Sequence, residues 1–313
     1  MSPTPRETIQ LRSAGEPSLV LRRQRATTAG PAGEPAADVI YVHGATFGAD
    51  LSVFHPFDGR SWADVLCEAG FTAWGFDFAG YGASDRYAVE AGAPKGRCDE
   101  VLPQLSRIVD AVRERNGGRR VVLLAHSWGT IVAARYAGTR PDHILGLVLF
   151  GPIVVRQCAV MPTVGVAQPP TRLVTVWQQY RRFVEDVPRD QAQVLGEAHF
   201  QVWSEKYLAT DPGARDRQPP SVLTPSGPMA DIAACWSGDR LYDPAAITAP
   251  TLVVRGEWDS LCPDSDALAL VGALGATVKV DVKIARATHL MHLETARTEL
   301  HRCVNDFLHQ ITH

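Results

Sequence analysis

The sequence predicts an α/β protein, with a mostly parallel central sheet flanked by helices and interrupted by a helical cap insertion. Three observations predict it. Apolar runs such as Asp38-Val-Ile-Tyr-Val-His43 and Val121-Val-Leu-Leu-Ala125 suit strands buried on both faces. Amphipathic stretches alternate with these runs, as they do when helices cover a parallel sheet. The alternation lapses between about Val154 and Tyr242 and then resumes. A chain of 313 residues is long for one domain and short for two. The expected organisation is therefore a core of 1–153 and 243–313 carrying an insertion of 154–242.

The elements follow in order. Glu7–Arg12 and Ser18–Ala26 flank Ala14-Gly15-Glu16-Pro17 and read as a hairpin. A Gly/Pro/Ala loop over 28–37 leads to the Asp38 strand. Ser61–Ala69 reads as helix and Thr72–Phe78 as strand. Asp99–Asn116 sets Val101, Leu105, Ile108, Val109 and Val112 on one helical face and stops at Gly117-Gly118. Arg120–Ala125 is a strand, Ser127–Gly138 a helix, and Ile144–Phe150 a strand closed by Gly151-Pro152. In the insertion, Leu173–Val187 and Arg189–Thr210 read as helices, and Asp211–Pro228, with five prolines, as a loop. Pro250–Arg255 and Thr277–Ala285 read as strands, Pro263–Leu274 and His292–Gln310 as helices.

Composition narrows the function classes. The 45% hydrophobic content is ample for a core, and the formal net charge is −3. No Lys/Arg run interleaves with aromatics, so no nucleic-acid partner is expected. No apolar run approaches the roughly 18–20 residues that span a bilayer. The Met-Ser-Pro-Thr-Pro-Arg-Glu start lacks the pattern of a secretory leader. The six cysteines include no CxxC pair, which argues for reduced thiols in a cytoplasm and against a disulfide framework or metal site. Nothing in the sequence decides the oligomeric state.

The most informative segment runs from Val121 to Thr130. An apolar strand leads straight into Ser127, a helix follows at once, and Ala125 and Gly129 stand at minus two and plus two. Small flanks let a serine sit on a sharp strand-to-helix turn where strand and helix approach closely. The turn sets an oxyanion formed there over the N–H groups of the new helix. The plainer alternative is a structural serine at a tight turn. Two further segments stand out: His43-Gly-Ala-Thr-Phe-Gly48 after the first central strand, and Phe76-Asp-Phe-Ala-Gly-Tyr-Gly-Ala-Ser-Asp85.

Together these segments resemble the α/β-hydrolase superfamily, over roughly Val39–Pro152 and Ala249–Leu308. The resemblance implies a nucleophile at Ser127 and oxyanion donors at the backbone N–H groups of Ala45 and Trp128. It implies a structural role for Phe76–Asp85, and an acid and a base later in the chain. Asp259 ends the run Pro250–Asp259 and is the expected acid, with Glu257 and Asp264 as competitors. The site after the sixth strand reads Gly151-Pro152-Ile153 and offers no carboxylate. His289 is the expected base, in Ala285-Arg-Ala-Thr-His-Leu-Met-His-Leu-Glu294. That segment is similar to the family's G-H-x-x-x-x-E close, with Thr288 in place of Gly, and His292 is the competitor. His43 reads as a brace for its loop and His126 as a packing or backbone-bonding residue. The Trp128 ring is open between bordering the acyl pocket and plain packing.

The implied activity is hydrolysis of a carboxylic ester or lactone, thioesters among them, with neither metal nor organic cofactor. An acyltransferase, a C–C bond hydrolase and a ligand-binding receptor of the same fold are the rivals. Serine at 127 argues against the alkyl-enzyme chemistry of epoxide hydrolases and haloalkane dehalogenases, which use Asp there. Aromatics crowd the insertion. Some pack it to the core, while Phe47, Trp177 and Trp203 are the candidates for a substrate pocket suited to an apolar or aromatic acyl compound.

Overall fold

Successive side chains of a strand point to opposite faces, and in the central strands of this chain both sets are apolar. Such a sheet is stable only with cover on both sides. The computed structural model describes residues 5–28, 34–87, 92–156 and 169–312. Among them the strands are β1 (Arg6–Leu11), β2 (Leu19–Gln24), β3 (Asp38–Val42), β4 (Thr72–Asp77), β5 (Val121–His126), β6 (Ile144–Phe150), β7 (Thr171–Thr175), β8 (Ser221–Pro225), β9 (Thr251–Gly256) and β10 (Lys279–Ile284). The helices are α1 (Trp62–Glu68), α2 (Cys98–Arg115), α3 (Gly129–Thr139), α4 (Val176–Val184), α5 (Glu197–Ala209), α6 (Gly227–Trp236), α7 (Asp264–Ala273) and α8 (Arg297–Thr312).

Eight strands form one sheet in the order β1-β2-β4-β3-β5-β6-β9-β10. The β1–β2 hairpin lies antiparallel on β4, and every pairing from β4 to β10 is parallel. Ile40, Val42, Leu123, Ala125, Leu147 and Leu149 face one core with α2, α3 and α7. Val39, Tyr41, Val122, Leu124, Val148 and Phe150 face the other with α1 and α8. α1 starts from a capping box in which Ser61 and Asp64 satisfy each other's backbone N–H, worth about 1 kcal/mol. Parallel strands place all their C-terminal ends on one rim, which is where ligands bind in open α/β sheets.

The core elements match the sequence expectation to within a few residues; the segment between β6 and β9 does not. The helix predicted over Leu173–Val187 begins as strand β7, and only its second half is α4. Thr175 ends the strand and caps the helix, accepting from the N–H of Gln178. Of the helix predicted over Arg189–Thr210 only α5 forms. The predicted Pro-rich loop contains β8 and the start of α6. β7 and β8 pair antiparallel with each other, so each is a strand because of a partner some fifty positions away. Local periodicity cannot report such a partner. The last helix begins at Arg297, not His292, because Met291–Leu293 form a separate 3-10 turn. The loop predicted over 28–37 lies partly outside the described residues, as does Cys158 entirely. The five described cysteines are free and buried.

Candidate active site

Ser127 follows the last residue of β5 and has φ 54°, a left-handed conformation that costs a serine energy and is held by its surroundings. Its N–H donates to the Phe150 carbonyl, 3.1 Å away on β6. Gly129 shows why the pentad needs small residues. A Cβ there would collide with the carbonyls of Val42 and His43, so α3 packs directly on the end of β3. The same edge-to-edge bonding continues across the rim. Gly151 N–H donates to Val254, Glu257 N–H to Ile284 and Trp258 N–H to Ala287, at 2.8, 2.8 and 2.9 Å. The loops that follow β5, β6, β9 and β10 are thus fixed to one another.

Within that frame three predicted residues meet. Ser127 Oγ lies 2.8 Å from His289 Nε2. His289 Nδ1 lies 3.0 Å from each carboxylate oxygen of Asp259. All three are buried. Asp259 Oδ1 also accepts from the N–H groups of Leu261 and Cys262, at 2.9 and 3.1 Å. Burial alone would raise this carboxyl's pKa. The attraction of His289, its hydrogen bond and the Leu261 N–H outweigh that and hold it below the ordinary carboxylate range. Gly151, at φ 54°, passes so close that a Cβ would stand 2.9 Å from the His289 ring. The site after β6 lacks a side chain because the imidazole occupies its space.

The competitors are engaged elsewhere. Glu257 accepts from the Arg286 N–H at 2.8 Å, and Asp264 pairs with Arg255 and Lys283. His292 lies against the rings of His126, Phe47 and Phe150, with Nε2 3.4 Å from Ser52 Oγ. His43 braces its loop as expected: Nε2 accepts from Phe78 N–H at 3.0 Å, leaving Nδ1–H to donate to Gly44 O at 2.8 Å. His126 Nε2 lies 3.0 Å from the carbonyl of His289, so it donates there and holds the backbone of the base. Burial, then the neighbouring imidazoles, drives the pKa of His126 well below its ordinary value, which keeps this brace neutral.

Glu294 went unassigned a task in the sequence, and it fixes the same loop. Its carboxylate accepts from both the N–H and the hydroxyl of Thr288, the residue that replaces the family's glycine. Asp77 in β4 accepts from Arg22 at 2.8 Å and Ala49 N–H at 3.0 Å, a structural role that ties the hairpin to the loop after β3. The hydroxyl of Tyr81 donates to Ala45 O at 2.7 Å and fastens that loop beside Ser127. Among the described residues neither the N–H of Ala45 nor that of Trp128 has a protein acceptor.

A cavity of about 400 Å³ opens over Ser127 and His289. Phe47 lines it. Trp203 does not: it is buried behind Phe47 at a ring distance of 5.1 Å, with Nε1 donating to Leu51 O. Trp177 is 65% exposed on the outer side of α4 and stacks on Tyr180. A helix face that meets neither core nor cavity leaves its aromatic in water. The Trp128 ring is fully buried and donates to Asp231 Oδ2 at 3.0 Å, so it is a packing residue. The cavity's walls differ in character. Met229, Ile232 and Trp236 from α6, with Leu261, form an apolar side; Arg172, Gln178, Gln179, Arg181 and Arg182 from β7 and α4 form a polar one. The expected apolar lining describes one wall only. No sequence motif marked Arg172 or Gln179, whereas Trp236 is one of the insertion's aromatics. A larger groove, about 730 Å³ between the hairpin and α5, contains neither Ser127 nor His289. Among the described residues no group of three or more His, Cys, Asp or Glu side chains is placed to hold a metal ion, and no helix is long and apolar enough to cross a membrane.

A parallel sheet led by an antiparallel hairpin, with a strained serine after its fifth strand and a histidine after its last, defines an α/β hydrolase. The sequence pattern of the alpha/beta hydrolase fold matches residues 39–296, and the chain belongs to that family. A soluble variant of the monoglyceride lipase of Saccharomyces cerevisiae superposes with a TM-score of 0.68 at 14% identity, covering 100% of this chain and 97% of that one. The monoacylglycerol lipase of Paleococcus ferrophilus gives 0.62 at 16% identity, over 94% and 99%. An esterase of Thermogutta terrifontis gives 0.61 at 18% identity, over 98% and 100%. Identities this low make the likeness one of fold. No curated protein matches the sequence.

Proposed function

We propose that this chain is a serine hydrolase that cleaves carboxylic esters or lactones, thioesters included, through an acyl-enzyme. The observation that carries the reading is the unbroken relay from Ser127 Oγ through His289 to Asp259, at 2.8 and 3.0 Å, on the floor of a cavity. A serine hydroxyl is a weak nucleophile without a base, and a base needs its tautomer fixed. Ionised Asp259 accepts from Nδ1–H, which leaves the Nε2 lone pair facing Oγ. As Oγ bonds to the carbonyl carbon, Nε2 takes its proton. The negative charge moves to the carbonyl oxygen, where the N–H groups of Ala45 and Trp128 receive it. Donors of this kind contribute on the order of 3 kcal/mol each. His289 then gives the proton to the leaving alcohol, and water, deprotonated by the same imidazole, releases the acid.

The segment 154–242 acts in this reading as the lid that supplies one side of the pocket. A fluorophosphonate probe tests the nucleophile: the wild type should label and Ser127→Ala should not. A panel of esters, lactones and thioesters, run with and without an alcohol acceptor, tests the reaction. Wild-type protein that stays unlabelled overturns the hydrolase reading. Acyl transfer that outruns hydrolysis at modest acceptor concentration replaces it with a transferase.

A further inference from the structure

Both walls of the cavity carry hydrogen-bond donors that the protein does not use. Gln179 is 1% exposed, its Oε1 faces Thr46 Oγ1 at 3.4 Å, and its Nε2 has no partner among the described residues. The indole Nε1 of Trp236 is buried and unpaired in the same sense, as is Nε of Arg172. All three residues line the cavity that holds Ser127. One unpaired atom there is an acceptor, His126 Nδ1, because Nε2 of that ring gives its proton to His289 O. A buried donor left without an acceptor costs about 1–3 kcal/mol, and such donors on four side chains of one cavity, Nε of Arg182 being the fourth, are a feature to be explained by what binds there.

Arg172 adds charge to the pattern. Its neighbours on α4 are neutralised: Arg181 and Arg182 pair with Glu185, and Arg182 also with Asp186. Arg172 has no carboxylate within ion-pair distance among the described residues. Arg172 is half-buried, and the planar fork of a guanidinium matches a carboxylate.

Resting on the hydrolase reading above, we infer that the substrate is an ester bearing a carboxylate. Arg172, Gln179 and Trp236 hold that group, while the apolar part of the molecule lies on Met229, Ile232 and Leu261. The anion supplies the acceptors that these donors lack and the counter-charge that Arg172 lacks. The ester carbonyl is left to the N–H groups beside Ser127.

Matched pairs of esters test the inference. Phenyl hemisuccinate against phenyl butyrate puts the charge on the acyl side; 4-carboxyphenyl butyrate against phenyl butyrate puts it on the alcohol side. In one of the two pairs the charged ester should have the higher kcat/KM, by about tenfold or more. Arg172→Met should lower kcat/KM for that charged ester at least tenfold more than for its neutral partner, mostly through KM, and Arg172→Lys should restore part of the difference. Thermal melting of each variant checks that it folds. A binding arm separates the two readings. Calorimetry of phenyl hemisuccinate and 4-carboxyphenyl butyrate with Ser127→Ala should show uptake of the preferred ester that Ser127→Ala/Arg172→Met loses. If no ester is turned over but that uptake persists, the hydrolase reading fails and the anion site stands. If neither charged ester is preferred and neither binds through Arg172, the inference is overturned, whatever the activity on neutral esters.

Discussion

At the C-terminal rim of the sheet, each residue of the site is held by hydrogen bonds and close backbone approaches. In the segment between β6 and β9, the hold comes from apolar packing. Ser127 is fixed by Phe150 O and by Gly129 lying on β3; His289 is fixed by His126, Asp259 and Gly151. These are backbone bonds and near-contacts, each allowing few residue types. The insertion is fixed by a cluster of Phe183, Phe200, Trp203, Tyr207 and Val222 closing on Phe47 and Leu290 of the core. Apolar packing of that kind accepts many sequences of similar volume. The rim should therefore be intolerant in rate and the insertion tolerant in rate but sensitive in stability and selectivity.

The largest effect should come from the rim. Asp259→Asn preserves shape but frees His289 to adopt the wrong tautomer, and kcat should fall about 10⁴-fold with little change in melting temperature. Steady-state kinetics on a reactive ester would measure it. A loss of less than tenfold would mean that the orienting carboxylate is not needed, and the relay would lose its interpretation. Next comes Trp203→Ala, which removes a ring buried between Phe47 and Tyr207 together with its bond to Leu51 O. Urea unfolding should show a loss of about 3–5 kcal/mol. KM should rise with it, because Phe47 loses its backing. A loss under about 1 kcal/mol would show that the insertion is not packed through this cluster.

The same contrast explains what could be read in the sequence. The strands and the elbow were legible because each is marked by residues within ten positions, an apolar run, a small flank, a glycine, while the loops carrying Asp259 and His289 were legible through their resemblance to the family's pattern. Asp259 was preferred to Glu257 and Asp264 because it falls in the loop where the family's acid belongs, and the structure occupies both rivals with backbone or salt-bridge partners. The polar wall was not legible. Arg172 lines the cavity because β7 pairs with β8, and α6 brings Trp236 opposite it because Asp231 bonds Trp128 Nε1 and the Cys98 N–H. Those partners are separated by between about 50 and 135 positions. The aromatic count of the insertion pointed to Trp177 and Trp203, yet an aromatic is equally at home in a core or on a surface, and only packing decides.

Glu294 sharpens the comparison through pH. Burial pushes its carboxyl up to about 7, although its bonds to Thr288 pull the other way. The folded protein thus keeps a proton that the unfolded chain releases near the ordinary value of 4.5. For a group raised in this way, the stabilisation is complete below the unfolded value and is lost as pH rises through the folded one. Between about pH 4.5 and 7 the stability should decline by on the order of 2–3 kcal/mol from this group. Glu294→Gln, whose amide imitates the protonated acid, should flatten that limb in melting temperatures taken across the range. Asp259 has the opposite sign: its lowered pKa contributes stability above the ordinary carboxylate value, lost on acidification. If the limb persists unchanged in Glu294→Gln, the loop carrying His289 is not what titrates.

The smallest effect should come from the insertion's outer surface. Trp177→Ser removes a ring that is 65% exposed and contacts Tyr180 across the face of α4. Stability should change by no more than about 0.5 kcal/mol, and kcat/KM by less than about twofold. Phe47→Ala, in the core loop on which the inner face of the insertion closes, should instead raise KM, because its ring forms both a wall for substrate and the contact with Trp203. The pair asks whether the insertion acts through the face it turns inward. A several-fold rise in KM for Trp177→Ser would mean that substrate also meets the outer side of α4 on its way in. The polar wall would then be the inner end of a longer path, and the division between a rim that sets rate and an insertion that sets selectivity would have to be redrawn along that path.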